Sequence, residues 1–323
     1  MTPLQRRQFG KLVAAGLTST VVADIYSKAV AQSSSSPTLY GIKFPNTSKT
    51  RNREDQSPSV EVITAQLPIV NLISAIVVEG LKVLSQVPVP ILSVDNLLPV
   101  PKKPQAFFLP ESDRITKAIL LADKTLVIST VSNTKNGNFN FIIYSVGNGF
   151  KSKRVLDFKT SNQTVESFLS LPNNQFLCLV GTGGVPPFSL RTLDFTTGRI
   201  LSSDKLGLPP LPPNHRFANL CLGQGNIYAT ETGSEGIPVL ISINLEEKAI
   251  LTGNVKIKRL TPLKFKGVPL VNDVKDLAFF SGQLYALATD SSRKNNVLFK
   301  VDVKTGNMEP VTNLAAEKIT FSA

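Results

Sequence analysis

Leu126, Phe176, Ile227 and Leu284 each open a short apolar segment, and by subtraction they lie 50, 51 and 57 residues apart. Each segment follows another apolar run and a tight polar turn, at Asp123-Lys124, Asn173-Asn174, Gly225-Asn226 and Gly282-Gln283. Short apolar runs bounded by Asn, Asp and Gly read as strands joined in hairpins. A second hairpin follows in each unit: 141–144 paired with 154–158 in the first, then 190–194, 240–244 and 298–302 in the others. One small sheet cannot cover both of its apolar faces. Units of about 50 residues with four strands each must therefore stack on one another around an axis.

Two of the turns share a motif, Leu193-Asp194-Phe-Thr-Thr-Gly198-Arg199 and Val301-Asp302-Val-Lys-Thr-Gly306-Asn307. An Asp at a strand end can accept hydrogen bonds from the turn backbone, and Gly supplies the positive φ of the return. Over residues 110–323 this motif resembles the strand-turn-strand signature of YVTN and quinoprotein-like β-propellers. The resemblance implies an all-β propeller and says almost nothing about activity, because that architecture carries many. Residues 39–43 look like an inner hairpin strand and 318–321 like an unaccompanied first strand. The expected fold is thus a β-propeller of about five four-stranded blades, with six as the alternative, closed by pairing of the N- and C-terminal strands.

The propeller domain is expected to span 39–323. Residues 45–59 are polar and read as a loop. Residues 60–98 are strongly apolar, but Glu79 and Lys82 interrupt them, which favours a strand pair or a short buried helix over a membrane span. Prolines 88, 90, 99, 101 and 104 make 86–104 an extended connector that cannot be a central strand.

The N-terminal 31 residues read as a signal peptide. Arg6-Arg7-Gln8-Phe9-Gly10-Lys11 resembles the twin-arginine consensus, with Arg6 and Arg7 paired, the aromatic Phe9 two residues on, and Lys11 following. The apolar stretch behind it is about a dozen residues, shorter than the ~20 a bilayer core requires. Ala29-Val30-Ala31 places the cleavage site at Ala29 and Ala31, ahead of a polar leader over 32–38 that is expected to be flexible. The resemblance implies folded export to the periplasm or outside the cell, or into a thylakoid lumen, with no membrane span left after cleavage.

Cleavage removes four basic residues and one acidic one, so totals of 35 and 23 become 31 and 22, a net +9. A positive field favours anionic partners: lipid headgroups, envelope polymers or acidic proteins. The basic residues form no stripe interleaved with aromatics, and an exported protein does not meet nucleic acid. The two cysteines, Cys178 and Cys221, sit in apolar runs and read as buried free thiols, although an oxidising compartment would permit a bridge. With two Cys and one His, a four-ligand zinc site lacks donors.

In a propeller the channel mouth is lined by the loops leading into each first strand. Here they supply Asp113, Arg114, Glu166, Asn214, His215, Arg216, Asn272, Asp273 and Asp276 as candidate ligand-binding residues. Carboxylates and amides converging on an axis could hold calcium, as the resemblance to six-bladed lactonase-like hydrolases implies. His215 is the only histidine and the only one available for acid–base work. No Gly-x-Ser-x-Gly elbow occurs, and Gly181-Thr182-Gly183-Gly184 lacks the lysine and helix of a phosphate loop. The absence of Trp removes the residue type that stacks sugars and docks the blades of pyrroloquinoline enzymes. The expected function is non-catalytic binding of a protein or anionic envelope component through the channel face, with no favoured cofactor. A calcium-type hydrolase and a quinone-cofactor redox enzyme are the alternatives.

Replacing Arg6 and Arg7 together by Lys should leave the precursor uncleaved inside the cell. Fractionation and immunoblotting would read this, and unchanged export would argue for the general secretory route.

Overall fold

The computed structural model describes residues 38–43, 59–66, 82–90, 114–123, 125–134, 137–146, 149–155, 162–171, 174–201, 206–245, 255–271, 274–290 and 295–321. The signal peptide 1–31, most of the leader, nearly all of the loop 45–59, connector residues 91–104, and Asp113, Asn272 and Asp273 lie outside them.

Three strands precede the repeats: β1 (Thr38–Lys43), β2 (Ser59–Gln66) and β3 (Lys82–Pro90). The first repeat forms β4 (Arg114–Leu120), β5 (Leu126–Thr134), β6 (Gly137–Val146) and β7 (Gly149–Arg154). The second forms β8 (Gln163–Leu171), β9 (Gln175–Thr182), β10 (Val185–Asp194), β11 (Arg199–Ile200) and β12 (Leu206–Gly207). The third forms β13 (Arg216–Gly223), β14 (Asn226–Thr232), β15 (Pro238–Asn244) and β16 (Lys256–Pro262). A small hairpin, β17 (Lys264–Phe265) and β18 (Val268–Pro269), leads into β19 (Val274–Phe280), β20 (Gln283–Asp290), β21 (Asn295–Val301) and β22 (Asn307–Asn313). The last strand is β23 (Lys318–Phe321).

Each repeat is one antiparallel sheet, and β17–β18 extends the fourth by pairing parallel to β22. A further sheet, ordered β23-β1-β2-β3, is built from both ends of the chain. Its register runs from Leu39 opposite Phe321 to Ile42 opposite Lys318. The first strands of the sheets touch in sequence, β4 to β8 to β13 to β19 to β23, and β23 returns to β4. The molecule is therefore a β-propeller, with four blades from the repeats and a closing sheet shared by the termini.

The reason is visible in single strands. In β9, Phe176, Cys178 and Val180 pack into the layer shared with the first repeat, while Leu177 and Leu179 pack into the layer shared with the third. In β20, Leu284, Ala286 and Ala288 face the third repeat's sheet, and Tyr285 and Leu287 face the closing sheet. A strand apolar on both faces must be covered on both, and a ring of sheets does so without an unpaired face. Aromatic rings stitch the layers, with Tyr144 and Phe195 4.8 Å apart between the first two repeats and Phe280 and Tyr285 each 5.1 Å from Phe321 at the closure.

The recurring turn motif adopts one geometry twice. Asp194 Oδ1 accepts from Thr196 N at 2.7 Å and Oδ2 from Thr197 Oγ1 at 2.8 Å, and Asp302 repeats this with Lys304 at 2.9 Å and Thr305 at 2.7 Å. Gly198 and Gly306 take φ of 71° and 74°. Hydrogen bonds from the Thr305 hydroxyl and the Lys304 N–H hold the Asp302 carboxyl below the usual range.

One expectation is corrected. Residues 141–144 pair with 151–154 in β7, which runs from Val146 opposite Gly149 to Phe141 opposite Arg154, so of the expected 154–158 only Arg154 takes part; 156–158 lie outside the described residues. The β7 sequence GFKSKR is polar because it lies at a sheet edge, where apolar content does not mark a strand. Residues 60–98 contribute the expected strand pair, β2 with β3, and the proline-rich connector begins in β3, whose Pro88 and Pro90 stand opposite Glu61 and Ser59. That strand is also an edge, where proline's missing N–H is tolerated.

Phe168 is fully buried between the first two repeats. Phe168→Ala should cost about 3–5 kcal/mol in chemical denaturation followed by circular dichroism; a loss under about 1 kcal/mol would mean that this layer is not packed as described.

Candidate functional site

The first strands β4, β8, β13 and β19 each carry a register shift at the same place: Ile115/Lys117, Val165/Ser167, Ala218/Cys221 and Val274/Asp276. A bulge adds a residue on one strand and re-aims side chains. Here it brings Lys117, Glu166, Ser167, Asn219 and Asp276, polar residues within apolar strands, into a buried network around the axis.

The network joins every neighbouring pair of sheets. Leu120 N donates to Thr320 Oγ1 at 3.0 Å, and Val165 N to Asn140 Oδ1 at 2.7 Å. Leu220 N donates to Ser167 Oγ at 2.9 Å, and Asn219 Nδ2 to Val274 O at 2.8 Å. Asp276 closes the circle. Its Oδ1 receives the Lys117 ammonium at 2.6 Å and Leu277 N at 2.9 Å, and its Oδ2 receives Ile319 N at 3.0 Å. Lys117 also donates to Leu277 O at 2.7 Å. Beside them Lys318 donates to Lys275 O. Burial pushes the Lys318 ammonium down to about 8; Asp276 and Glu317 oppose the fall, while Lys117 and Arg114 add to it.

Nearer the mouth, Arg114 at the start of β4 grips Glu166 through two hydrogen bonds of 2.9 and 2.8 Å. Thr164 Oγ1 donates to the same carboxylate and accepts from Gly184 N at 3.1 Å. On the third repeat, Glu231 is held by Arg259 at 2.8 and 3.1 Å and by His215 Nδ1 at 3.3 Å, which requires the proton on Nδ1. The His215 ring lies so close to Gly233 that a Cβ there would meet its Cε1 at 2.8 Å. Only glycine admits the ring in this position.

The candidates thus separate. Arg114 and Arg216 open β4 and β13, Glu166 lies inside β8, His215 directly precedes β13, and Asn214 is an exposed turn residue with φ of 64°. Asp276 is corrected from a mouth residue to a wholly buried one inside β19, because the bulge turns it inward. Lys117, Lys318, Glu231 and Arg259 were missed. For the two lysines the signal was there: a charge inside an apolar strand. Glu231 and Arg259 are 28 residues apart in sequence and carried no signal. Among the described residues no three His, Cys, Asp or Glu side chains converge as a metal would require. The thiols are free and buried in different layers, and burial pushes the Cys221 thiol up to about 12.

No family model and no curated protein matches the sequence. Among solved structures the chain is similar to one from a structural and mechanistic analysis of two prolyl endopeptidases, at 10% identity and a TM-score of 0.34, covering 95% of this chain and 45% of that one. It is also similar to apo AztD from Citrobacter koseri, at 12% identity and a TM-score of 0.29, covering 81% of this chain and 59% of that one. The chain therefore spans about half the length of these proteins. Neither likeness carries an inference about activity, and the propeller arrangement rests on the chain's own strand pairing.

Removing one partner of a buried ion pair costs about 3–5 kcal/mol when the other is left uncompensated. Asp276→Leu should reach that range because it strands Lys117 and two backbone N–H groups. Lys117→Met should cost less, since Asp276 keeps both N–H donors and the field of Lys318. Equal losses in urea denaturation would contradict this asymmetry. Lys318 adds a pH dependence. The unfolded chain holds its proton up to the ordinary 10.5 and the folded chain releases it at about 8, so between these values the unfolded state binds more protons and rising pH favours folding. The stability of the wild type minus that of Lys318→Met should accordingly increase from pH 8 to 10.5. A flat difference would contradict the burial of a charged amine.

Proposed function

We propose that this protein is an exported, non-catalytic propeller that binds an anionic partner, an acidic protein or an envelope polymer, through the mouth of its channel. One observation carries this reading. Two described carboxylates, Glu166 and Glu231, are buried and already paired, whereas the guanidinium groups that hold them reach solvent. Glu166 and Glu231 have side chains 8% and 6% exposed, but their partners Arg114 and Arg259 are 41% and 53% exposed. Arg216 is exposed as well. At these two pairs the charge that a partner meets first is therefore positive. Exposed guanidinium edges suit carboxylate or phosphate groups, which they can engage in paired hydrogen bonds.

The calcium-dependent hydrolase draws less support. Calcium needs six to eight oxygens, and the buried carboxylates Glu166, Glu231 and Asp276 each hold a cation. His215 is oriented by a carboxylate, as a general base would be, yet no nucleophile stands beside it among its described partners.

Poly-glutamate and polyphosphate are suitable probes for the full chain. Binding should weaken as salt rises, and Arg216→Glu should lower affinity about tenfold at low salt. Equal binding to neutral dextran, or a calcium-dependent rise in melting temperature abolished by Asp273→Ala, would overturn the reading.

A further inference from the structure

Between Val255 and Val271 the chain carries Lys256, Lys258, Arg259, Lys264 and Lys266 and no acidic residue. Arg259 is engaged by Glu231. The four lysines have no carboxylate partner among the described residues, and Lys266 lies over the Phe265 ring, 5.3 Å from its centroid. This stretch runs along the outside of two adjoining blades. β16 is the edge of the third repeat's sheet, and β17–β18 is the outermost hairpin of the fourth's. Leu263 N bonds to Pro238 O at 2.9 Å on one blade, and Lys264 N to Gly306 O at 2.8 Å on the next.

At the far end of the stretch Val268 and Val271 are 64% and 61% exposed, more than any other large apolar side chain described, while Leu270 between them turns inward at 6%. Lysine on an edge strand guards against sheet extension, and that accounts for β16 taken alone. It does not account for two valines held outward beside lysines. Cations and outward aliphatic groups on one edge stretch match a bilayer interface, where ammonium groups meet headgroup phosphates and short apolar side chains enter the acyl boundary. A purely acidic polymer or protein would need the lysines and leave the valines without a role.

We propose that this rim docks the propeller onto an anionic lipid surface, with Lys256, Lys258, Lys264 and Lys266 over the headgroups and Val268 and Val271 seated at their inner edge. Arg259, held by Glu231, is the one residue of this stretch that also belongs to the cationic surface proposed above; the lysines and valines do not, and the lipid contact does not depend on what that surface binds.

Cosedimentation of the full chain with phosphatidylcholine vesicles, with and without phosphatidylglycerol, tests it. All variants keep the same N-terminal segment, so differences between them report the rim. Each lysine near an anionic surface contributes roughly fivefold at low salt. Lys264→Glu with Lys266→Glu should therefore weaken binding more than tenfold. Val268→Ser with Val271→Ser, which leaves charge unchanged, should weaken it several-fold with an unaltered melting temperature. Arg216→Glu, a mouth variant, should bind vesicles like the wild type. Equal binding to neutral vesicles would overturn the proposal. So would a valine pair that can be replaced without effect, an outcome that would point to an acidic polymer or protein.

Discussion

The carboxylate of Asp276 is where three sheets meet. It receives the Lys117 ammonium from the first repeat and the Ile319 N–H from the closing sheet, while it belongs to the fourth repeat itself. A buried ion pair of this kind is weak evidence for net stability, because desolvation of both charges can exceed their attraction. It does discriminate strongly against wrong arrangements. A ring closed one blade short, or a last strand slipped by one residue, would leave an ammonium or a carboxylate buried without a partner. The closing strand has only four residues, so its register needs a marker of this strength.

The apolar layers and the polar axis divide the work. Layers between sheets supply the attraction that brings blades together, and they are indifferent to small shifts of one sheet past another. The bulges in β4, β8, β13 and β19 present polar groups to the axis at equivalent heights, and hydrogen bonds between neighbours remove that freedom.

Buried carboxylates and exposed guanidinium groups coexist in the Arg114–Glu166 and Arg259–Glu231 pairs. A carboxylate is short enough to be covered, whereas an arginine has the length to bond to it and still reach solvent. The lysine-bearing rim on β16 to β18 extends positive charge to a second surface by a different means, since lysines there have no acid to pair with among the described residues.

Much of the architecture was legible in residue order. The spacing of Leu126, Phe176, Ile227 and Leu284, the two Asp-x-x-Thr-Gly turns, and the strand-like ends at 39–43 and 318–321 led to a ring closed by its termini, because period and turn chemistry are local properties. The edge strand β7 was placed a few residues late, since a strand at the rim keeps polar residues that an apolar pattern does not reveal. The axial network was out of reach for a further reason. Lys117 and Asp276 are 159 residues apart, and no local pattern says which buried charge a given lysine will face. By itself the sequence determined that the repeats must be sheets apolar on both faces. Only the closed ring decided which polar groups share the axis, because that depends on bulges and on blades brought together across the whole length of the chain.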